Sequence, residues 1–132
     1  MKRKDQKKIL VVDDDAEMTL MIRDILEANH YEVTRVHDGP EAVQKANQEN
    51  FDLVLLDIRM PYFSGIWFCD AFKRRSQTRN TPVIIVSGLP PQENMQQAYH
   101  VGASAYLAKP FRPPELLNLV EKVLSESIPP SA

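Results

Sequence analysis

The chain has 132 residues, of which 43% are hydrophobic, and this is the size of one domain with a substantial core. The formal net charge of −2 gives no general case for nucleic-acid binding. A single cysteine, Cys69, excludes an intramolecular disulfide and suits a reducing cytoplasm. No apolar run approaches the roughly 18 residues of a membrane span, and the basic extension over 1–7 lacks the apolar segment of a signal peptide. We therefore expect a cytoplasmic domain.

Hydrophobic periodicity predicts five strands, each followed by a helix. The strands are predicted over 8–12, 31–36, 53–57, 82–86 and 104–108, and the helices over 16–29, 39–49, 65–75, 90–102 and 113–126. A loop is expected over 58–64, because Met60-Pro61 stops the central apolar run. This alternation predicts an α/β, doubly wound (βα)5 domain over 8–126, with a parallel sheet covered on both faces. Residues 127–132 would be a tail or the start of a linker.

Helical spacing indicates which apolar side chains of the first two helices turn toward the sheet. The expected inward positions are Met18, Met21, Ile22, Ile25, Ala42, Val43 and Ala46.

Polar side chains end four of the five predicted strands. They are Asp13 with Asp14, then Asp57, Ser87 and Lys109. In doubly wound sheets, ligands bind beyond the carboxyl ends of the strands, where the strand order reverses. The pattern therefore predicts a site at this edge of the sheet.

Three adjacent acids follow the first strand. Asp15 is well placed to cap the next helix, and this role accounts for one carboxylate. Asp13 and Asp14 would repel each other unless solvent or a cation compensates them, and carboxylate oxygens are ligands that Mg²⁺ prefers. By themselves the acids are consistent with both a solvated cluster and a metal site.

An aspartate beside a magnesium site, a hydroxyl and an ammonium group is suited to phosphoryl transfer, which needs charge balance and held geometry. Asp57 can act as a carboxylate nucleophile and form an acyl phosphate. Lys109 would balance the phosphoryl charge, and Ser87 would donate a hydrogen bond to the new group. The expected Mg²⁺ ligands are Asp13, Asp14, Asp57 and the backbone carbonyl of Arg59.

Four motifs follow one another along the chain. They are Ile9-Leu10-Val11-Val12-Asp13-Asp14-Asp15, residues 53–61 with Gly65, Val83-Ile84-Ile85-Val86-Ser87-Gly88, and Tyr106-Leu107-Ala108-Lys109-Pro110-Phe111. In this order and at these spacings, they resemble the receiver domain of two-component response regulators over about Lys8 to Ser125. The resemblance implies a flavodoxin-like receiver fold with strand order 2-1-3-4-5 and a cis Lys109-Pro110 bond.

The resemblance also implies a role for each matching residue. Asp57 would be the phosphoacceptor, Asp13 and Asp14 the metal-binding acids, Lys109 the phosphate-contacting lysine, Ser87 the switch hydroxyl and Tyr106 the switch aromatic. Phosphorylation would pull Ser87 and then Tyr106 inward and change the surface of the fourth helix, fifth strand and fifth helix. Taken singly, Lys109 could cap a strand end, Ser87 could serve a turn and Tyr106 could fill the sheet.

As partners, the resemblance implies a phosphohistidine donor on a sensor histidine kinase or histidine phosphotransfer protein. It allows a homodimer through the same surface and implies no direct nucleic-acid binding by this domain and no membrane contact. The domain would catalyse only its own phosphorylation and dephosphorylation. A phosphatase with an aspartyl nucleophile would need a second aspartate where Arg59 stands. A flavin carrier would need a phosphate-cradling loop where the chain has acids.

The chain departs from the family pattern at three places. His30 stands after the first helix, where the family has a glycine, so we expect left-handed strain or a different helix end. Tyr62 and Phe63 stand in a loop that is usually small and polar. Trp67 stands at a position of the third helix that is usually charged and exposed. With Tyr62 and Phe63 it could form an apolar surface patch for a partner, or Trp67 could fold back over its own loop.

Overall fold

The computed structural model describes residues 6–126, so 1–5 of the predicted basic extension and the predicted tail over 127–132 lie outside the described residues. The strands are β1 Lys8–Val12, β2 Glu32–Val36, β3 Leu53–Leu56, β4 Arg59–Met60, β5 Phe63–Ser64, β6 Val83–Ser87 and β7 Ala105–Ala108. The helices are α1 Ala16–Glu27, α2 Gly39–Gln48, α3 Gly65–Arg74, α4 Pro91–His100 and α5 Pro113–Glu126. Within this part of the chain, no helix has the length and apolar character that crossing a bilayer requires.

Five strands form one parallel sheet in the order β2-β1-β3-β6-β7. Counted among the strands of this sheet, the order is 2-1-3-4-5, so the predicted doubly wound, flavodoxin-like topology is confirmed. The last residues of neighbouring strands are level: Val12 pairs with Val36 and Leu56, and Ser87 pairs with Ala108. All five strands therefore end at one edge of the sheet.

The sheet separates two hydrophobic cores, because successive side chains of a strand point to opposite faces. Leu10 and Val12 pack toward α2, α3 and α4, whereas Ile9 and Val11 pack toward α1 and α5. Helices cover both faces of the central strand, Leu53–Leu56, all of whose residues are buried, and this explains its uninterrupted apolar run.

Two residues predicted to face inward are exposed. Met21 is 39% and Val43 38% exposed. The buried stripe of α1 runs through Ile22 and Leu26, so Met21 lies on its flank, and only Ala42 is fully buried among the apolar residues of α2. The predicted buried stripes of α1 and α2 are therefore wider than the observed ones.

The predicted loop over 58–64 is instead a short antiparallel hairpin, β4–β5, turned through Pro61 and Tyr62. Tyr62 has a φ of 58°, a left-handed conformation that turns usually assign to glycine or asparagine. Because neither stands there, the sequence carries no clear hairpin signal. His30 also adopts the left-handed conformation, with a φ of 72°. This confirms the first of the two alternatives expected at this position. Such a conformation costs about 1 kcal/mol for a residue with a Cβ atom.

The hairpin should depend on Gly65, where α3 begins against the end of the central strand. A Cβ atom on Gly65 would lie 2.5 Å from the Ile58 Cα and 2.7 Å from the Asp57 carbonyl oxygen, and backbone atoms cannot move aside as a flexible side chain can. We expect Gly65→Ala to lower the free energy of unfolding by about 2 kcal/mol, as measured by urea denaturation.

Gly88→Ala is the matched control, since nothing lies within 4 Å of a Cβ atom built there. It should change the free energy of unfolding by less than about 0.5 kcal/mol. Equal losses of unfolding free energy in the two variants would mean that close packing is not the reason for glycine at position 65.

Candidate functional site

The polar residues predicted to end the strands do come together at the carboxyl edge of the sheet. The Lys109 Nζ donates to Asp13 Oδ2 at 2.7 Å and to Asp57 Oδ2 at 3.1 Å. Backbone hydrogen bonds hold the ends of the strands in register. The Asp57 N–H donates to the Val12 carbonyl, and the Lys109 N–H donates to the Ser87 carbonyl. The peptide bond between Lys109 and Pro110 is cis, as the resemblance implied. One ammonium group thus bridges two buried carboxylates.

Asp57 lies in a largely desolvated position. Burial is the main influence on its carboxyl group and raises its pKa above the usual 3.8, and the nearby Asp13 raises it further. The Arg59 N–H, which donates to Asp57 Oδ1 at 2.8 Å, and the Lys109 ammonium lower the pKa without cancelling the effect of burial. The carboxylate is therefore held by donors on both oxygens, yet its charge remains unfavourable in the folded protein.

Lys109 experiences the opposite balance. Burial alone would lower the pKa of its ammonium group, but the hydrogen bond and charge of Asp13, together with those of Asp57, raise it above the usual 10.5. The side chain is therefore fully protonated at neutral pH and can compensate negative charge on a bound group.

Asp13, Asp14 and Asp57 each offer a carboxylate oxygen, and these three oxygens lie within 4.8 Å of one another. Asp13 and Asp57 are buried, whereas Asp14 is exposed and faces an open cavity of about 430 Å³ that Arg59 also lines. Hard oxygen donors converging beside open space fit Mg²⁺, which usually keeps several of its waters. Asp15 instead caps α1 by accepting a hydrogen bond from the Met18 N–H at 3.1 Å. The three successive acids, Asp13, Asp14 and Asp15, therefore have different surroundings.

Ser87 and Tyr106 lie further along the same edge and share a neighbour. The fully buried Ser87 accepts a hydrogen bond at its Oγ from the Leu89 N–H at 3.1 Å. Tyr106 is turned inward, and its hydroxyl donates to the Leu89 carbonyl at 3.0 Å. Through its backbone, Leu89 thus links the two side chains. Sequence reasoning missed this link, because a backbone contact leaves no residue-type signal.

The three aromatic residues singled out in the sequence do not form one patch. Phe63 packs against the core, with its ring centroid 5.8 Å from that of Phe68, and occupies the space beside Gly39. Tyr62 is fully exposed at the hairpin turn, and Trp67 is 61% exposed on α3. This exposure argues against the alternative in which Trp67 folds back over its own loop.

Comparison with known proteins gives one consistent result. The family model described as "Response regulator receiver domain" matches residues 9–121. The transcriptional regulatory protein ResD of Bacillus subtilis is 34% identical over 94% of this chain and 50% of its own length. The chemotaxis protein CheY4 of Vibrio cholerae has a similar structure, with a TM-score of 0.84 and 35% identity over 89% of this chain and 98% of that one.

A third relative is a receiver domain described with a bound metal. The receiver domain of sensor histidine kinase PA1611 from Pseudomonas aeruginosa, described with a magnesium ion coordinated in the active site cleft, has a TM-score of 0.83 and 28% identity, over 92% of this chain and 99% of that one. The fold, the acidic edge and these matches define a signalling module of two-component systems. The chain belongs to the response regulator receiver domain family. It spans about half the length of the curated relatives it matches.

The raised pKa of Asp57 makes a prediction about stability. Ionising Asp57 costs more in the folded protein than in the unfolded chain, so its contribution is fully favourable below the unfolded value and is lost as the pH rises through the folded pKa. Asp57→Asn removes that loss, while Lys109 keeps Asp13 as a partner. We expect the variant to be more stable than the parent by about 1 kcal/mol near neutral pH, and the difference to vanish in acid.

Urea denaturation at several pH values would measure this difference, with Asp24→Asn as the control. Asp24 is an exposed acid of α1 whose ion pair within residues 6–126 is with its neighbour Arg23, and its removal should change little. A loss of stability in Asp57→Asn at neutral pH would show that the bond to Lys109 outweighs the burial of Asp57.

Proposed function

We propose that this domain accepts a phosphoryl group on Asp57 from a phosphohistidine, carried by a sensor histidine kinase or a histidine phosphotransfer protein. The observation that carries the proposal is the contact of the Lys109 ammonium with both Asp57 and Asp13 at the carboxyl edge of the sheet. Family membership supports a histidine kinase as the general class of partner. Some curated relatives are transcriptional regulatory proteins, and control of an output domain or partner is part of the proposal.

In the proposed reaction, an Asp57 carboxylate oxygen attacks phosphorus and forms an O–P bond as the P–N bond to the donor imidazole breaks. The electron pair of that bond remains on the imidazole nitrogen, and the product is an acyl phosphate. Lys109 balances the added negative charge by contacting the phosphoryl oxygens. The Arg59 N–H, which already donates to Asp57 Oδ1, keeps the carboxylate oriented.

Asp13, Asp14 and Asp57, with the backbone carbonyl of Arg59, would hold Mg²⁺. When bound, the ion would shield the attacking carboxylate and the transferred group from each other's charge. The donor set of three carboxylate oxygens within 4.8 Å supports this assignment, as does the magnesium named for the similar receiver domain of PA1611.

The signal would leave the site through Ser87 and Tyr106. A phosphoryl group on Asp57 would accept a hydrogen bond from the Ser87 hydroxyl and draw it away from the Leu89 N–H. Because the Tyr106 hydroxyl is bonded to the Leu89 carbonyl, a shift of this segment would reposition Tyr106 and the surface made by α4, β7 and α5. This surface is the proposed contact for an output domain or for a second copy in a homodimer.

The chemistry can be tested with acetyl phosphate and Mg²⁺. We expect the protein to gain one phosphoryl group that is labile to base and hydroxylamine, measured by intact-protein mass spectrometry. Asp57→Asn should lose the modification, chelation of Mg²⁺ should prevent it, and Asp24→Asn should retain it. The same mass gain in Asp57→Asn would falsify the phosphoacceptor assignment.

The lifetime of the acyl phosphate should depend on Arg59 and Leu89. Hydrolysis needs a water in line with the scissile bond, and these residues stand two positions after Asp57 and Ser87. Arg59 lines the cavity beside Asp14 and makes no ion pair within residues 6–126, so its guanidinium is free to reach phosphoryl oxygens. Leu89 adds apolar bulk, and neither side chain can act as a general base at neutral pH.

We therefore expect Arg59→Asn and Leu89→Ala each to lose the phosphoryl group severalfold faster than the parent, and the double mutant to lose it fastest. Decay after removal of the phosphodonor would be followed by mass spectrometry. Unchanged or slower decay in all three variants would mean that these residues do not exclude water.

A further inference from the structure

An apolar groove of about 200 Å³ lies between α2 and α3, on a part of the surface that the proposed phosphoryl transfer does not use. Val43 and Ala46 line it from α2, and Trp67 and Ala71 line it from α3. The groove exists because small alanine side chains occur on both helices between larger neighbours. Val43 is 38% and Trp67 61% exposed, so the rim of the groove presents large apolar side chains to solvent.

The groove reaches the hydrophobic core. The rings of Phe68 and Phe72 also line it, and they are almost fully buried and stacked with their centroids 5.7 Å apart. These rings belong to the core cluster on this face of the sheet. An apolar side chain entering the groove would therefore contact rigid core atoms, with little ordering of the protein needed on binding.

Arg75 gives the groove a polar, positively charged side. Its guanidinium donates to the Asn47 Oδ1 at 2.7 Å, and both residues are exposed. Arg75 is the one charged residue among the described residues that line the groove. The amide of Asn47 is neutral, and Arg75 makes no ion pair within residues 6–126. A carboxylate matches a guanidinium better than an amide does.

We propose that this groove binds an acidic, amphipathic segment of a partner protein. One large apolar side chain would fill the groove between Trp67 and Ala71, and a carboxylate one helical turn away would pair with Arg75. Charge complementarity and the presence of a preformed apolar pocket together define this chemistry. The site does not depend on the phosphoacceptor, so Asp57→Asn should bind the same segment equally well.

A second copy of the chain fits the groove less well than a short segment does. A stable dimer buries roughly 800 Å² on each partner. Here the large exposed apolar side chains that line the groove are Val43 and Trp67, and the volume suits a single side chain. The feature is a pocket for one anchor residue and not an extended face.

Trp67 makes the proposal directly measurable, because it is the one tryptophan of the sequence. The probe is a synthetic, tryptophan-free amphipathic peptide that carries leucine at helical spacing with glutamate one turn away, titrated while Trp67 emission is recorded. A twin peptide with lysine in place of each glutamate is the matched control. We expect a saturable blue shift with the acidic peptide and binding about fivefold weaker with the basic twin.

Two variants localise the binding. Arg75→Glu should reverse the preference between the two peptides, and this exposed substitution leaves the core untouched. Ala71→Leu should fill the groove and weaken binding of the acidic peptide at least about tenfold. Leu20→Ala, which changes an exposed apolar residue on α1, should leave the affinity unchanged.

Equal affinities for the two peptides, or no saturable change in Trp67 emission with either, would overturn the proposal. Concentration-dependent dimerisation of the protein alone, abolished by Arg75→Glu, would also overturn it, because the groove would then be an interface between copies. If Ala71→Leu fails to fold, as judged by circular dichroism, the charge reversal at Arg75 still decides the question.

Discussion

The bridge from Lys109 to Asp13 and Asp57 is the interaction on which the site depends. Two carboxylates buried at the end of adjacent strands repel each other strongly when water is excluded. The ammonium group, at 2.7 Å from one and 3.1 Å from the other, compensates both. It does so incompletely at Asp57, whose pKa remains raised by burial. The folded protein thus holds an electrostatic cost at the residue proposed to react.

Close packing behind this cluster keeps the reactive carboxylate in place. Gly65 brings α3 against the Asp57 carbonyl, and the Phe63 ring of the hairpin fills the space beside Gly39. The hairpin in turn directs the Arg59 N–H to Asp57 Oδ1. Core packing and hydrogen bonding therefore act on the same few atoms, and a change in either should alter the orientation of the carboxylate.

The two proposed surfaces lie on different elements of the fold. The Leu89 backbone joins Ser87, at the end of β6, to Tyr106 of β7, and this link is the proposed route by which phosphorylation would alter the surface of α4, β7 and α5. None of these three residues lines the groove between α2 and α3, whose chemistry is set by Trp67 and Arg75. One surface would respond to phosphorylation, whereas the other would be available in both states. A receiver with this arrangement could bind one partner constantly and exchange another on signalling.

The sequence by itself determined the five helices, the five strands of the parallel sheet and the polar residues that meet at its carboxyl edge. Four apolar runs of four or five residues, ended by Asp13, Asp57, Ser87 and Lys109, predicted strands whose carboxyl ends meet at one edge, as the sheet shows. Tertiary structure alone decided what side-chain type does not encode. The Leu89 link uses backbone atoms, the hairpin turns through Tyr62 without the usual glycine, and the exposure of Met21 and Val43 depends on how each helix rotates against the sheet. The groove likewise required two helices, distant in sequence, to set alanines between larger side chains.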